Sequence, residues 1–129
     1  MLRPLLIIWA LPNTILGLCL GLVGVAFGGE VQMRQGVVEF YGPGVAWLMQ
    51  RLLPNGAFAA AVTIGHVILG RTLETLERCR SHEFVHVRQY ERWGPLFLPV
   101  YFGCYMYLRI RRFDPYLDHP FEIEAFAKE

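Results

Sequence analysis

Two histidines one helical turn apart, with a glutamate directly after the first, are the residues here best suited to chemistry: His82-Glu83-Phe84-Val85-His86. On a helix, positions i and i+4 share a face, so both imidazoles can reach one metal ion. Glu83 is turned about 100° from His82, at the edge of that face. There it can take a proton from a water polarised by the metal without ligating the metal itself. The plain alternative is a helix with two partly buried histidines. The glutamate in the intervening slot favours the metal. Cys79, Gln89 and Trp93 lie on the same face. Cys79 could add a soft ligand, although a small buried hydrophobe is the more usual role of such a cysteine.

A catalytic zinc site needs a third protein ligand and one open position. The stretch Asp118-His119-Pro120-Phe121-Glu122-Ile123-Glu124-Ala125-Phe126 offers two acids. Pro120 suits the first turn of a helix capped by Asp118 or His119. Glu122 and Glu124 then point about 200° apart, so both cannot face one ion. Glu122 shares its side with Ala125, whose small side chain allows close approach to the histidine helix. Glu122 is therefore the expected third ligand. The plain alternative is that both acids are surface charges near a helix N-terminus.

The elements that must position these groups are partly legible. Thr72 can cap a helix over residues 73–92, a stretch without Pro or Gly, and Glu74 precedes Arg78 by one turn. Val31–Met33 and Val37–Tyr41 flank Arg34-Gln35-Gly36 and read as a hairpin. Gly44–Leu53 reads as a short amphipathic helix ending before Pro54. Residues 52–70 carry no charge, but Pro54-Asn55-Gly56 interrupts them. The β-branched residues after the break predict one buried strand at about residues 61–69. Residues 93–108 are uncharged and aromatic, with Pro95 and Pro99 inside, and Arg109, Arg111 and Arg112 follow. They predict an interfacial or half-inserted helix, with a buried core helix as the alternative.

The longest uncharged run is Pro4–Gly29, between Arg3 and Glu30. A membrane helix needs about 20 apolar residues, so this run is expected to be a transmembrane anchor kinked near Pro12 and Asn13. A cleaved leader ending at Ala26–Gly28 is the alternative. Gly17, Gly21, Gly24 and Gly28 fall on one face and suit association with another helix. The chain has 129 residues, 54% hydrophobic and 18% charged, with a net charge of +1. That excludes disorder and argues against a nucleic-acid partner, which would need a basic face. Three scattered cysteines and no CxxC exclude a disulfide framework and a cysteine zinc knuckle.

Ala61-Val62-Thr63-Ile64-Gly65-His66-Val67-Ile68, then His82-Glu83-Phe84-Val85-His86-Val87-Arg88-Gln89, then a Glu-x-x-Ala at Glu122, together resemble minimal gluzincin-type zinc metallopeptidases. The HExxH core domain of extracellular contractile injection system proteins is similar in the same three blocks. Small bacterial membrane-associated proteins are similar around Val87–Pro95 and Pro120–Ala125. The resemblance covers about residues 57–126. It implies a zincin-like fold, one Zn²⁺ on His82, His86 and Glu122, and Glu83 as general base. It also implies that the strand carrying Ile64, Gly65, His66 and Val67 borders the cleft and pairs with an extended peptide. Gluzincins often follow Glu-x-x-Ala with an Asp that supports a ligand histidine; Phe126 stands there instead. His119 replaces an Asn common in the narrower relatives, which makes it a rival ligand or, with Tyr116, a possible oxyanion stabiliser.

The expected protein is thus α+β: a membrane anchor over residues 1–29 and a minimal zincin-like domain over 30–129, with an HExxH helix, a short sheet and a C-terminal ligand helix. Its expected activity is peptide-bond hydrolysis at a membrane, by a zinc-polarised water with Glu83 as base. The competing reading is a non-catalytic, metal-stabilised membrane protein that acts as a binding or structural module. Membrane orientation is left open by the weak charge bias around the anchor.

Overall fold

The computed structural model describes residues 2–52 and 61–129. The expected break at Pro54-Asn55-Gly56 lies outside the described residues. Six helices and four strands follow in chain order among those described: α1 (Leu2–Trp9), α2 (Leu11–Ala26), β1 (Glu30–Arg34), β2 (Val37–Tyr41), α3 (Pro43–Leu52), β3 (Ala61–Ile64), β4 (Val67–Gly70), α4 (Leu73–Trp93), α5 (Phe97–Ile110) and α6 (Pro120–Lys128). The α+β class matches the expectation. The sheet is mixed, in the order β1-β2-β4-β3, with β2 and β4 parallel and both outer pairs antiparallel.

Local chemistry explains the turns. Gln35 and Gly36 both have positive φ, 52° and 80°, as a two-residue type I′ hairpin turn requires. The expected single strand at residues 61–69 is instead a hairpin. Gly65 takes φ +66° and, with His66, reverses the chain between β3 and β4. A continuous apolar run hides such a reversal, because both strands are buried and neither alternates visibly.

The sheet is covered on both sides. Phe40, Ile64, Val67 and Leu69 face α2 and α3 and pack with Val45 and Met49. Val37 and Ile68 face α4 and pack with Leu76 and Val87. Along β2 the next inward residue is Glu39, fully buried and held by both nitrogens of an Arg80 fork at 2.9 Å. This alternation follows from the two-residue period of a strand. A third apolar cluster, Ala10, Tyr90, Phe97 and Phe121, joins α4 to α5 and α6.

The N-terminal run corrects the sequence reading. It is two helices broken at Ala10, and α2 has 16 residues, about 24 Å of rise. Among the described residues, no helix is long and apolar enough to cross a membrane. That overturns the transmembrane helix over residues 1–29 and the membrane localisation drawn from it, and removes the ground for a lipid partner. The glycine face is used inside the chain. A Cβ on Gly17 would lie 2.8 Å from Val67 Cβ, one on Gly21 2.2 Å from the Phe40 ring, and one on Gly24 2.7 Å from Val45. The small residues let α2 lie directly on the sheet and α3. Gly28 stands apart, past the helix end at φ +103°.

Candidate metal centre

Helix α4 carries the histidine pair, and its start is set as expected. The Thr72 side chain accepts a hydrogen bond from the Thr75 N–H at 3.1 Å. His82, Glu83 and His86 are all buried. Helix α6 begins at Pro120 and is capped by His119, whose Nδ1 accepts from the Phe121 N–H at 3.2 Å. This cap sets the register that points Glu122 at α4. Ala125, one turn on, is fully buried.

The three groups converge. Glu122 Oε1 lies 3.1 Å from His82 Nε2 and 2.9 Å from His86 Nε2. One ligand atom from each of His82, His86 and Glu122 can be chosen so that all three lie within 4.8 Å of one another, a buried group that can bind a metal ion. The far nitrogen of each ring is also occupied. His82 Nδ1 meets Glu129 Oε2 at 2.6 Å, and His86 Nδ1 meets Gln89 Oε1 at 2.8 Å. Each Nε2 proton bridges to Glu122, and the acceptors at Nδ1 hold the second proton in place, so that loss of the Nε2 proton would free that lone pair for a metal ion. Metal-binding histidines are usually held in this way. Gln89 is oriented in turn, because its amide nitrogen donates to Phe121 O at 2.9 Å and to Glu124 at 2.7 Å. The donor set, two imidazoles and one carboxylate, suits a borderline cation such as Zn²⁺ with one position left for another ligand.

Electrostatics agree with the geometry. Burial pushes the imidazole pKa values down most strongly, but hydrogen bonding to Glu122 and the charge of Glu83 together outweigh it: His82 is raised and His86 reaches about 9. Burial pushes Glu122 up, and the two histidines overcome that and hold it at about 2. Glu83 is raised to about 7, chiefly by burial and against the pull of His86. Its carboxylate does not join the triad; the Thr63 hydroxyl lies 3.2 Å from Oε2 and from the main-chain oxygen of Glu83.

No family model matches the chain, and no curated protein or solved structure matches it.

Glu124 is turned away, as its position on the helix requires, to Gln89, Arg92 and Lys128. Other expectations change at this site. His119 is neither ligand nor free donor: its Nε2 donates to Tyr101 O at 2.9 Å, its Nδ1 caps α6, and burial lowers its pKa. The edge-strand assignment also moves. Ile64 ends β3, Gly65 and His66 form the turn, and Val67 lies on interior strand β4. His66 is buried, with Nε2 2.8 Å from Glu91 Oε2, and so ties the turn to α4. Cys79 and Tyr116 line the cavity beside the triad.

Two further residues, Tyr101 and Glu129, belong to the site. Tyr101 on α5 donates its hydroxyl to Glu122 Oε2 at 2.7 Å, and burial raises its pKa, so the proton stays in place. Nothing in its aromatic run marks it. Glu129 had a signal: it lies seven residues after Glu122, two helical turns on, and so on the same face.

A cavity of about 750 Å³ opens onto the triad. Ala61, Val62, Thr63 and Ile64 all line it. Successive strand side chains point to opposite faces, so contact with four in a row places the cavity along the edge of β3. A two-residue turn closes on a hydrogen-bonded pair, here Ile64 and Val67, so Ala61 and Thr63 direct their amides and carbonyls outward. In agreement, Tyr90 donates its hydroxyl to Thr63 O at 3.0 Å.

Proposed function

We propose that this chain is a zinc peptidase whose metal is held by His82, His86 and Glu122. The observation that carries the reading is the pair of Nε2 atoms converging on one buried carboxylate oxygen, at 3.1 and 2.9 Å, at the floor of a cavity bordered by a strand edge. In such a site Zn²⁺ supplies polarisation of a scissile carbonyl and a lowered pKa for water. Glu83, beside the triad and outside it, takes the proton of the attacking water and returns it to the leaving amine. The outward amides of Ala61 and Thr63 and the carbonyl of Ala61 align an extended peptide. Tyr101 orients Glu122 through its one hydroxyl proton, and Tyr116, on the cavity wall, is the donor for the developing oxyanion.

The test is zinc content and zinc-dependent peptide turnover of the pure protein, beside Glu83→Gln. Turnover that is lost on chelation, restored by Zn²⁺ and absent from Glu83→Gln supports the reading. Stoichiometric zinc with no turnover favours a structural role in which the metal clasps α6 to α4.

A further inference from the structure

The cavity has two chemically different ends. Its charged lining outside the triad and Glu83 is Arg78, Asp114 and Glu129. Arg78 lies one turn before His82 on α4, and Glu129 touches His82, so this end belongs to the His82 side. Another part of the lining comes from α2 and α5. It consists of Leu16, Leu20, Leu98 and Phe102, with Val62 and Ile64 of β3 also on the cavity, and carries no charge. Leu16 and Phe102 are also 46% and 39% exposed, so the apolar wall continues to the rim. A volume of about 750 Å³ lies within the range of ligand pockets, roughly 300–1,000 Å³, and exceeds what one side chain fills.

We infer that the site selects extended peptides carrying bulky aliphatic or aromatic side chains next to the reacting bond, with Leu20, Leu98 and Phe102 as the specificity-determining residues. This inference rests on the peptidase reading of the triad. A peptide is favoured over another apolar ligand because the strand edge presents main-chain donors and acceptors beside the apolar wall. Ordinary hydrocarbon leaves those groups unpaired, whereas an extended backbone satisfies them. Helix α2 is then a wall of the substrate site, built close to the sheet by Gly17 and Gly21.

The experiment has two arms on the full chain. In the first, zinc-loaded protein is given capped hexapeptides that differ only at two central positions: Leu, Phe, Ser, Asp or Lys. Leu and Phe peptides should exceed Asp and Lys peptides by at least tenfold in kcat/KM, and Leu98→Ala/Phe102→Ala should reduce that ratio about tenfold with zinc affinity unchanged. In the second arm, zinc-loaded Glu83→Gln binds the same peptides, labelled, in fluorescence anisotropy. Tighter binding of the apolar set without turnover in the first arm would sink the peptidase and keep the apolar selectivity. Equal kcat/KM across the set overturns the inference and keeps the peptidase. With no turnover, equal or absent binding in the second arm overturns the inference, and so does displacement of every peptide by a fatty acid. Leu20→Ala, tested in parallel, provides a second variant should the double substitution fail to fold.

Discussion

Oε2 of Glu129 sits 2.6 Å from Nδ1 of His82, while Phe126, three residues earlier, lays its ring 4.6 Å from the same imidazole. Glu129, just past the end of α6, thus supports this histidine on one side while the Phe126 ring packs against it on another. Removing such a support typically costs about 10–100-fold in metal affinity. Glu129→Ala should weaken zinc binding by about that factor, and Glu129→Gln, which keeps an acceptor, by less. Chelator competition measures both. Equal affinity in wild type and Glu129→Ala would show that the contact does not hold the ring.

Glu122→Ala should empty the site, whereas Glu124→Ala should leave zinc affinity within a few-fold. Glu122 faces both Nε2 atoms, and Glu124 is spent on Gln89, Arg92 and Lys128. Metal stoichiometry of the two purified variants decides it. A filled Glu122→Ala site beside an empty Glu124→Ala site would put the register of α6 off by two residues.

Glu83→Gln should retain zinc and lose about 10²–10⁴-fold in turnover, the usual worth of a general base. Its carboxylate contacts Thr63 and not the histidine nitrogens. Loss of zinc in this variant would mean that Glu83 is a ligand.

Gly21→Ala tests the place of α2. Its added Cβ would lie 2.2 Å from Phe40 in the core, and overpacking of this kind costs about 1–3 kcal/mol. The melting temperature should fall by several degrees. An unchanged melting temperature would mean that α2 does not rest on the sheet through this residue.

The Glu39–Arg80 pair should respond asymmetrically. Glu39 is fully buried, and the Arg80 side chain is 22% exposed. Arg80→Ala strands a carboxylate with Gln32 as its remaining side-chain partner, at 2.8 Å. Such a loss costs about 3–5 kcal/mol. Glu39→Gln leaves an arginine that can turn towards water, and should cost less. Denaturant unfolding of the two variants gives the comparison.

What could be read along the chain was whatever acts within a few residues. The His82–His86 spacing, the Thr72 cap, Pro120 at the head of α6 and the chain reversal within Arg34-Gln35-Gly36, which the structure narrows to Gln35-Gly36, each depend on neighbours no more than four positions away. The separation of Glu122 from Glu124 is the same kind of inference, because 100° per residue decides which acid faces inward.

Tertiary structure decided everything that depends on what lies opposite a surface. An uncharged helix with a glycine face has the same sequence whether lipid or a β-sheet covers it, and only the folded chain puts Phe40, Val45 and Val67 against Gly21, Gly24 and Gly17. The β3–β4 reversal at Gly65 left no mark in a continuous apolar run. Tyr101 and Glu129 reach the centre across 21 and 47 residues of chain, from Glu122 and His82 respectively. The sequence by itself determined which groups could bind a metal, because ligand chemistry and helical period are local. The folded chain alone decided which carboxylates and hydroxyls surround them, because those contacts come from packing between elements that no periodicity connects.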